Sequence, residues 1–403
     1  MKILHTSDWH LGQYFLGKSR QNEHKQFLDW LLVCACENQV GAIIVAGDIF
    51  DTGSPPSYAR ELYNQFIEDL QATKIKLVVV GGNHDSVATL GESKGLLKLL
   101  NTFVIPGVMA NPDEQVITLT DKNKQPVAMI CAVPFLRARD LQFSQAGLSG
   151  QQKQASLQQA ISEHYQQIYD LAKAQRQVTG KKIPIIATGH LATVGAKTSD
   201  SVRDIYIGTL ESFSSNNFPP AEYIALGHIH RAQKVGKTEH IRYCGSPITL
   251  SFDELNSAKK VLLVEFNEDK LQEVKELEVP CFQQLKQIKG DLAEIEKQLS
   301  ELKGNIWLDI EVSTEDYLGD LHQRIEGMVT DKPLEVLKLR RKKQQKLKSL
   351  EQVEKETLQE LTPLDVLTQR LAEEEWDSKE QKKLKKHITK AFNSIVEDLH
   401  ENP

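Results

Sequence analysis

The sequence predicts an α/β fold followed by a small α+β domain and a helical tail, and three observations point there. Across residues 1–275, apolar β-branched runs alternate with helical stretches, the pattern of a largely buried sheet covered by helices. Between 282 and 343 the pattern shortens to strand, helix, strand, helix, strand. From 341 onward the chain is highly charged, helix-prone and free of glycine.

The elements follow in order. The runs MKILHTS, GAIIVA, KIKLVVV, KIPIIAT and EYIAL have the length and β-branched richness of buried strands. Two stretches among them, HKQFLDWLLVCACENQ and SYARELYNQFIEDLQ, read as helices. The glutamine-rich segment SQAGLSGQQKQASLQQAISEHYQQIYDLAKAQRQ is expected to start as a loop and become a helix. Ile161, Tyr165, Ile168 and Leu171 keep helical spacing there, against the rival reading of polar disorder. FQQLKQI, DLAEIEKQLSELK, NIWLDIEVS, YLGDLHQRIEGMV and PLEVLKLR make up the β-α-β-α-β domain. In the tail, Pro363 is expected to open a second helix, and Leu364, Leu367, Leu371 and then Leu384, Ile388, Phe392, Ile395 form helical stripes. Such stripes call for burial, either within the tail or against another chain. The expected domains are therefore 1–275, 276–340 and 341–403.

Composition narrows the class. The 403 residues are 40% hydrophobic and 26% charged, as in ordinary soluble globular proteins. A net charge of −6 argues against holding nucleic acid by bulk charge alone, although a local basic stripe would still do so. No run approaches the length of a membrane span, and the N-terminus reads as a strand, not a secretory leader. Cys34, Cys36, Cys131, Cys244 and Cys281 form no CxxC pair and are expected as buried free thiols in a reducing cytoplasm. KLRRKKQQKLKSL concentrates Lys338, Arg340, Arg341, Lys342 and Lys343; it reads either as a solvated face or as a patch for phosphate or an acidic partner.

Chemistry gathers at the strand ends. The five runs lead to DWH (Asp8, His10), GDIFD (Asp48, Asp51), GNHD (Asn83, His84, Asp85), GH (His190) and GHIH (His228, His230). Residues at the carboxyl ends of strands face the crevice beyond the sheet, where five such ends can converge. Asp48 offers two carboxylate oxygens and is the natural bridge between two cations. Asp8 and His10 are two apart, so on a regular strand they would share a face, and His228 and His230 have the same spacing. With Asn83 and His190 these make seven ligands, suited to two divalent ions about 3.5–4 Å apart that clamp a phosphate and activate a water. Imidazole and oxygen donors without thiolate favour manganese, iron or zinc over magnesium, and manganese is the expectation. His84, next to the ligand Asn83, is the candidate for protonating the leaving oxygen. Asp51 is a candidate to hydrogen-bond its other ring nitrogen. The remaining histidines (His5, His24, His164, His240, His322, His387, His400) carry no such context.

The order DxH, GDxxD, GNHD, GH, GHxH resembles that of the calcineurin-like metallophosphoesterases over roughly the first 255 residues. HTSDWHLG, AGDIFDTGSPP, ATGHLATVGA, ALGHIHRAQ and YCGSPITLSFDE narrow the resemblance to the bacterial relatives of the eukaryotic meiotic recombination nuclease. The resemblance implies a β-sandwich flanked by helices, with Asp8, His10, Asp48 and His230 on one manganese and Asp48, Asn83, His190 and His228 on the other. It gives His84 the role of transition-state histidine. It implies that the α+β domain is a DNA-contacting cap, that the tail docks on an SMC-like ATPase, and that the protein is cytoplasmic and nucleoid-associated. It also implies a homodimer through the helices around 58–70 and 93–100, whose apolar faces include Leu62, Phe66, Leu97 and Leu100; core packing explains the same residues. The implied activity is cleavage of double-stranded DNA ends and hairpins. The alternatives are a phosphodiesterase for small molecules or cyclic nucleotides and a non-catalytic DNA-end-bridging subunit.

Overall fold

The computed structural model describes residues 1–141, 149–194, 196–197, 213–313 and 321–341. Two six-stranded sheets carry the first part of the chain. One runs in the order Lys270–Glu278, Lys260–Asn267, Lys2–Thr6, Ala42–Ala46, Lys76–Val80, Thr102–Ile105, the last four parallel. The other runs Gln233–Lys234, Ile241–Tyr243, Tyr223–Gly227, Ile185–His190, Pro126–Cys131, Val116–Thr120.

Alternation along the strands builds four layers. Ile3, Ile44, Val78 and Val80 of the first sheet share a core with Ile117, Ile130, Ile186 and Ala225 of the second. Their neighbours Leu4, Ile43, Val45, Leu77 and Val79 turn the other way, against Phe27 and Leu31 of helix Gln21–Glu37 and Phe66 of helix Ser57–Gln71. On the far side, Met129, Cys131, Ile185 and Leu226 pack on Leu157, Ile161, Tyr165 and Ile168 of helix Gly150–Thr179. A strand buried on both faces has no polar side to expose, which is why these runs read as continuously apolar. Each such side chain contributes about 1.5–3 kcal/mol by leaving water. The structure is thus a β-sandwich flanked by helices, and the glutamine-rich segment is a helix from Gly150.

The smaller domain is a three-stranded parallel sheet of Gln284–Gly290, Ile306–Val312 and Leu334–Arg341, with helices Leu292–Glu301 and Leu321–Val329. Ile306, Leu308, Ile310 and Val312 form its core with Ile295, Leu299 and Ile325. Trp307, Asp309 and Glu311 alternate onto the opposite sheet face. That face meets the first domain: Trp307 stacks on Phe15 with ring centroids 6.0 Å apart, Arg20 lies over both rings, and Lys18 pairs with Glu335. Strand Lys270–Glu278 pairs along Lys260–Asn267 to its last residue. The sandwich therefore reaches 278, past the expected limit at 275.

Three further expectations change. Cys34, Cys131 and Cys244 are buried, but Cys36 and Cys281 are exposed, since neither side chain faces a core. Phe66 and Leu97 belong to the subunit's own core, with Leu62 and Leu100 packed against it, whereas Leu96 and Leu99 on helix Lys94–Leu99 are exposed. Lys338, Arg340 and Arg341 lie on a strand, and Arg340 pairs with the buried Asp309 carboxylate at 2.8 Å while its side chain stays 39% exposed. Lys342, Lys343 and the tail stripes lie outside the described residues.

Candidate metal centre

Every motif turns at a strand end, and the turn depends on residues between the ligands. Trp9, Ile49 and Ile229 separate or follow the polar residues and are fully buried. Trp9 donates its indole N–H to Thr6 Oγ1 at 3.0 Å and meets Phe27 and Phe66 edge-on, which anchors the loop that carries Asp8 and His10. These two are not on a strand, which ends at Thr6; both take left-handed backbone, as do Asp48 and His228 (φ 53°, 47°, 50° and 89°). Such φ values are costly for residues with a Cβ and persist where surrounding structure over-determines them.

Glycine before a ligand has a steric reason. A Cβ on Gly227 would lie 1.9 Å from the Ala46 carbonyl oxygen, and one on Gly82 would lie 2.1 Å from Asp48 Oδ1. No side chain fits at either approach, the first between the two sheets and the second between neighbouring strand ends of one sheet.

The donors converge. Asp8, His10 and His230 bring ligand atoms within 4.8 Å of one another, as do Asp8, Asp48 and His190, and His10, Asp48 and His84. Asp48 is the common member of the last two groups, with Oδ2 at 3.1 Å from His190 Nε2 and 3.7 Å from His10 Nε2. His228 lies beside His190, ring centroids 5.4 Å apart, and its backbone N–H donates to Asp8 Oδ1 at 2.9 Å.

The donor set fits cations. His190 Nδ1 donates to the Ala46 carbonyl at 2.9 Å, because a carbonyl only accepts. Its Nε2 is then a lone pair in the neutral ring, yet it sits 2.9 Å from Asn83 Oδ1 and 3.1 Å from Asp48 Oδ2. Three acceptors facing one another need a positive charge among them. Burial pushes the His190 pKa down, but the Asp48 carboxylate outweighs it and raises it to about 9. Burial likewise pushes Asp48 up, while His190, His10 and His84 hold it well below the ordinary carboxylate range. His10 Nδ1 is taken by Asp51 Oδ1 at 3.1 Å, and its buried Nε2 has no hydrogen-bond partner among the described residues.

Asp51 holds His84 by a hydrogen bond through its backbone, while its carboxylate feels the ring's charge. Its carboxylate goes to His10, and its backbone carbonyl accepts from His84 Nδ1 at 2.7 Å. The outcome for His84 is the same fixed ring, reached through backbone that sequence spacing does not reveal. His84 is only partly buried, unlike most of the converging residues.

Two supporting residues carry no signal by themselves. Asp85 is buried and accepts from the backbone N–H of Gly82 (2.8 Å), Phe50 (3.0 Å) and Ile49 (3.2 Å), tying the loops of Asp48 and Asn83 together. Glu254 lies 3.4 Å from His230 Nδ1 and is paired with Lys259 at 2.6 Å, a carboxylate set behind the histidine ring. It sits in SFDE, twenty-four residues from its histidine.

Residues 1–232 match the calcineurin-like phosphoesterase family model, and residues 281–375 match the type 5 capsule protein repressor C-terminal domain. The D subunit of the nuclease SbcCD from Escherichia coli (strain K12) is 51% identical over 401 residues, 98% of this chain and 99% of that protein. The proteins of the same name from Rhodobacter capsulatus and Bacillus subtilis are 32% and 29% identical. These two alignments cover 66% of each chain in the first case, and 79% of this chain and 80% of the relative in the second.

Proposed function

The chain belongs to the calcineurin-like phosphoesterase family, in the line of the SbcCD nuclease D subunits, and from that premise we propose that it is a manganese-dependent DNA nuclease. It cuts double-stranded ends exonucleolytically and hairpins or single strands endonucleolytically, together with an SbcC-type SMC-like ATPase in DNA repair, recombination and replication. The observation that carries the hydrolytic reading is the buried His10 Nε2, without a hydrogen-bond partner among the described residues and 3.7 Å from Asp48 Oδ2, within a cage of converging acceptors.

The residues take these roles. Asp8, His10, Asp48 and His230 would hold one cation, and Asp48, Asn83, His190 and His228 the second; such a pair would supply positive charge for a phosphodiester and acidify a water near neutral pH. His84 keeps a proton on Nδ1 in either charge state, because the Asp51 carbonyl can only accept. Nε2 is therefore the nitrogen that gains or loses a proton, and it serves the leaving oxygen. Asp51 orients His10 through its carboxylate and His84 through its carbonyl. The α+β domain of 276–340 is the DNA-contacting cap, and the tail of 341–403 is the segment that docks on the ATPase. Exposed Leu96 and Leu99 support a homodimer within a heterotetramer. No described helix is long and apolar enough to cross a membrane, and the proposed location is the cytoplasm, at the nucleoid.

The purified chain with manganese, with and without its ATPase partner, is expected to cut linear and hairpin duplexes and to lose cutting on His84→Gln or chelation. Cleavage of small phosphodiesters only, or binding of ends with no manganese-dependent cutting, would overturn the reading.

A further inference from the structure

A further strand ends at the crevice and brings an arginine there. Pro126–Cys131 pairs parallel with Ile185–His190, which is itself parallel to Tyr223–Gly227, so its carboxyl end opens at the same edge as His190 and His228. The chain beyond it, residues 132–140, is held from both sheets. Thr188 Oγ1 donates to the Val133 carbonyl at 2.9 Å, and Val133 and Leu136 are buried in the core shared with helix Gly150–Thr179. Phe135 N–H donates to the Gly81 carbonyl at 2.8 Å, which joins this loop to the turn of Asn83 and His84 in the other sheet. The Phe135 ring meets His190 edge-on, centroids 6.5 Å apart.

Arg137 is the informative residue, because two contacts orient its guanidinium and leave most of its donors unused. Its Cζ lies 5.4 Å from the centre of the Phe135 ring, and Nη2 donates at 3.1 Å to the carbonyl of Asp85, the residue after His84. Asp140 Oδ2 stands 3.9 Å from Nη1, beyond hydrogen-bond distance, and Asp140 Oδ1 lies 3.6 Å from Arg139 Nε. One carboxylate shared by two guanidinium groups leaves a net positive charge. A guanidinium has five N–H donors, and the Asp85 carbonyl is its one hydrogen-bond partner among the described residues. The Arg137 side chain keeps 19% of its surface open, so an anion in the crevice can reach it. A planar cation backed by a ring, with donors to spare, suits a phosphate.

We propose that Arg137 binds the phosphate next to the scissile one on the DNA strand, through the donors that Asp85 does not use. The proposal deepens the DNA-nuclease reading and rests on it. It makes Arg137 the residue by which the centre tells a nucleotide strand from an isolated phosphodiester, which has no second phosphate to offer.

Two readouts test this with the full chain. Binding of a single-stranded oligonucleotide is measured in EDTA over a range of salt, so that no cation holds the phosphates. Arg137→Gln, whose amide N–H can still donate to the Asp85 carbonyl, is expected to make the log–log salt slope shallower by about 0.7, the value of one phosphate contact on a single strand. Arg137→Lys, which keeps the charge, is expected to retain the wild-type slope. With manganese, kcat/KM is compared on the same oligonucleotide and on bis(p-nitrophenyl) phosphate, an ester with one phosphate. Arg137→Gln is expected to lose about 10–100-fold more on the oligonucleotide than on the small ester, the span of one charge-assisted hydrogen bond. Equal losses on the two substrates in a folded protein would make Arg137 a brace for the His84 turn and overturn the proposal. An unchanged slope in Arg137→Gln, or a slope lost equally in Arg137→Lys, overturns it as well. A wild type that hydrolyses the small ester but no oligonucleotide sinks the nuclease reading. A wild type that cuts oligonucleotides, with variants that treat both substrates alike, sinks only the assignment of Arg137.

Discussion

Asp85→Asn tests how the metal centre is built, because the number of bonds lost can be read from the structure. One carboxylate oxygen accepts from Gly82 N and Ile49 N, the other from Phe50 N. An asparagine has one acceptor oxygen. Placed toward Gly82 and Ile49 it keeps two bonds and sets its NH2 against the Phe50 N–H, 3.0 Å away in the native protein. One buried backbone donor is then unsatisfied, a cost of about 1–3 kcal/mol. Asp85→Ala leaves three such donors, and the expected order of stability is wild type, Asn, Ala. The affected loops carry Asp48 and Asn83, so manganese affinity is expected to fall about 10–100-fold, as for other losses of support behind a ligand. Urea unfolding of the metal-free protein gives the first quantity, and calorimetric titration with manganese gives the second. Wild-type stability and wild-type affinity in a soluble Asp85→Asn protein would refute the account of Asp85 as the tie between the two loops.

Other outcomes follow from named contacts. His84→Gln is expected to reduce single-turnover cleavage about 10²–10⁴-fold while leaving manganese affinity near wild type; a matching loss of affinity would make it a ligand instead. Glu254→Gln removes the charge shared by His230 and the buried Lys259, and is expected to weaken manganese binding about tenfold or more, read by the same titration. Gly227→Ala sets a Cβ against the Ala46 carbonyl and is expected to abolish metal binding even where circular dichroism reports a folded chain. His5 is buried and neutral, its pKa pushed down to about 3 by loss of hydration. Its contribution to stability is full above the unfolded value of about 6.5 and is lost as pH falls toward 3, amounting to about 3 kcal/mol by pH 4.5. His5→Gln should flatten that part of a pH–stability profile measured by urea unfolding.

The strands and the gathering of Asp, Asn and His at their ends were legible because both rest on local chemistry. A run such as AIIVA has no polar face to offer water, so it declares a doubly covered strand, and a glycine followed by Asp, Asn or His at its end marks a turn with a polar tip. The α+β domain was legible element by element because its strands and helices are short and cleanly punctuated. What was not legible depended on distance or on backbone. Asp8 and His10 share a direction through left-handed turns, not through strand alternation. His84 is held by a carbonyl, which every residue has. Glu254 and Asp85 are ordinary acidic residues until folding places backbone N–H groups or a histidine beside them. Arg340 looked like part of a solvated basic run, and its tie to Asp309 appears only when the strands align.

The left-handed backbone at Asp8, His10, Asp48 and His228 has a consequence for how this centre can change. Each such residue holds about 1–3 kcal/mol of conformational strain that glycine would not feel. Substituting glycine at any of the four would remove a donor and relax the chain together, so fold and catalysis respond in opposite directions at the same residue. A screen for thermal stability alone would drift toward a better-folded, inactive protein, and selection for hydrolysis is what keeps side chains at these turns.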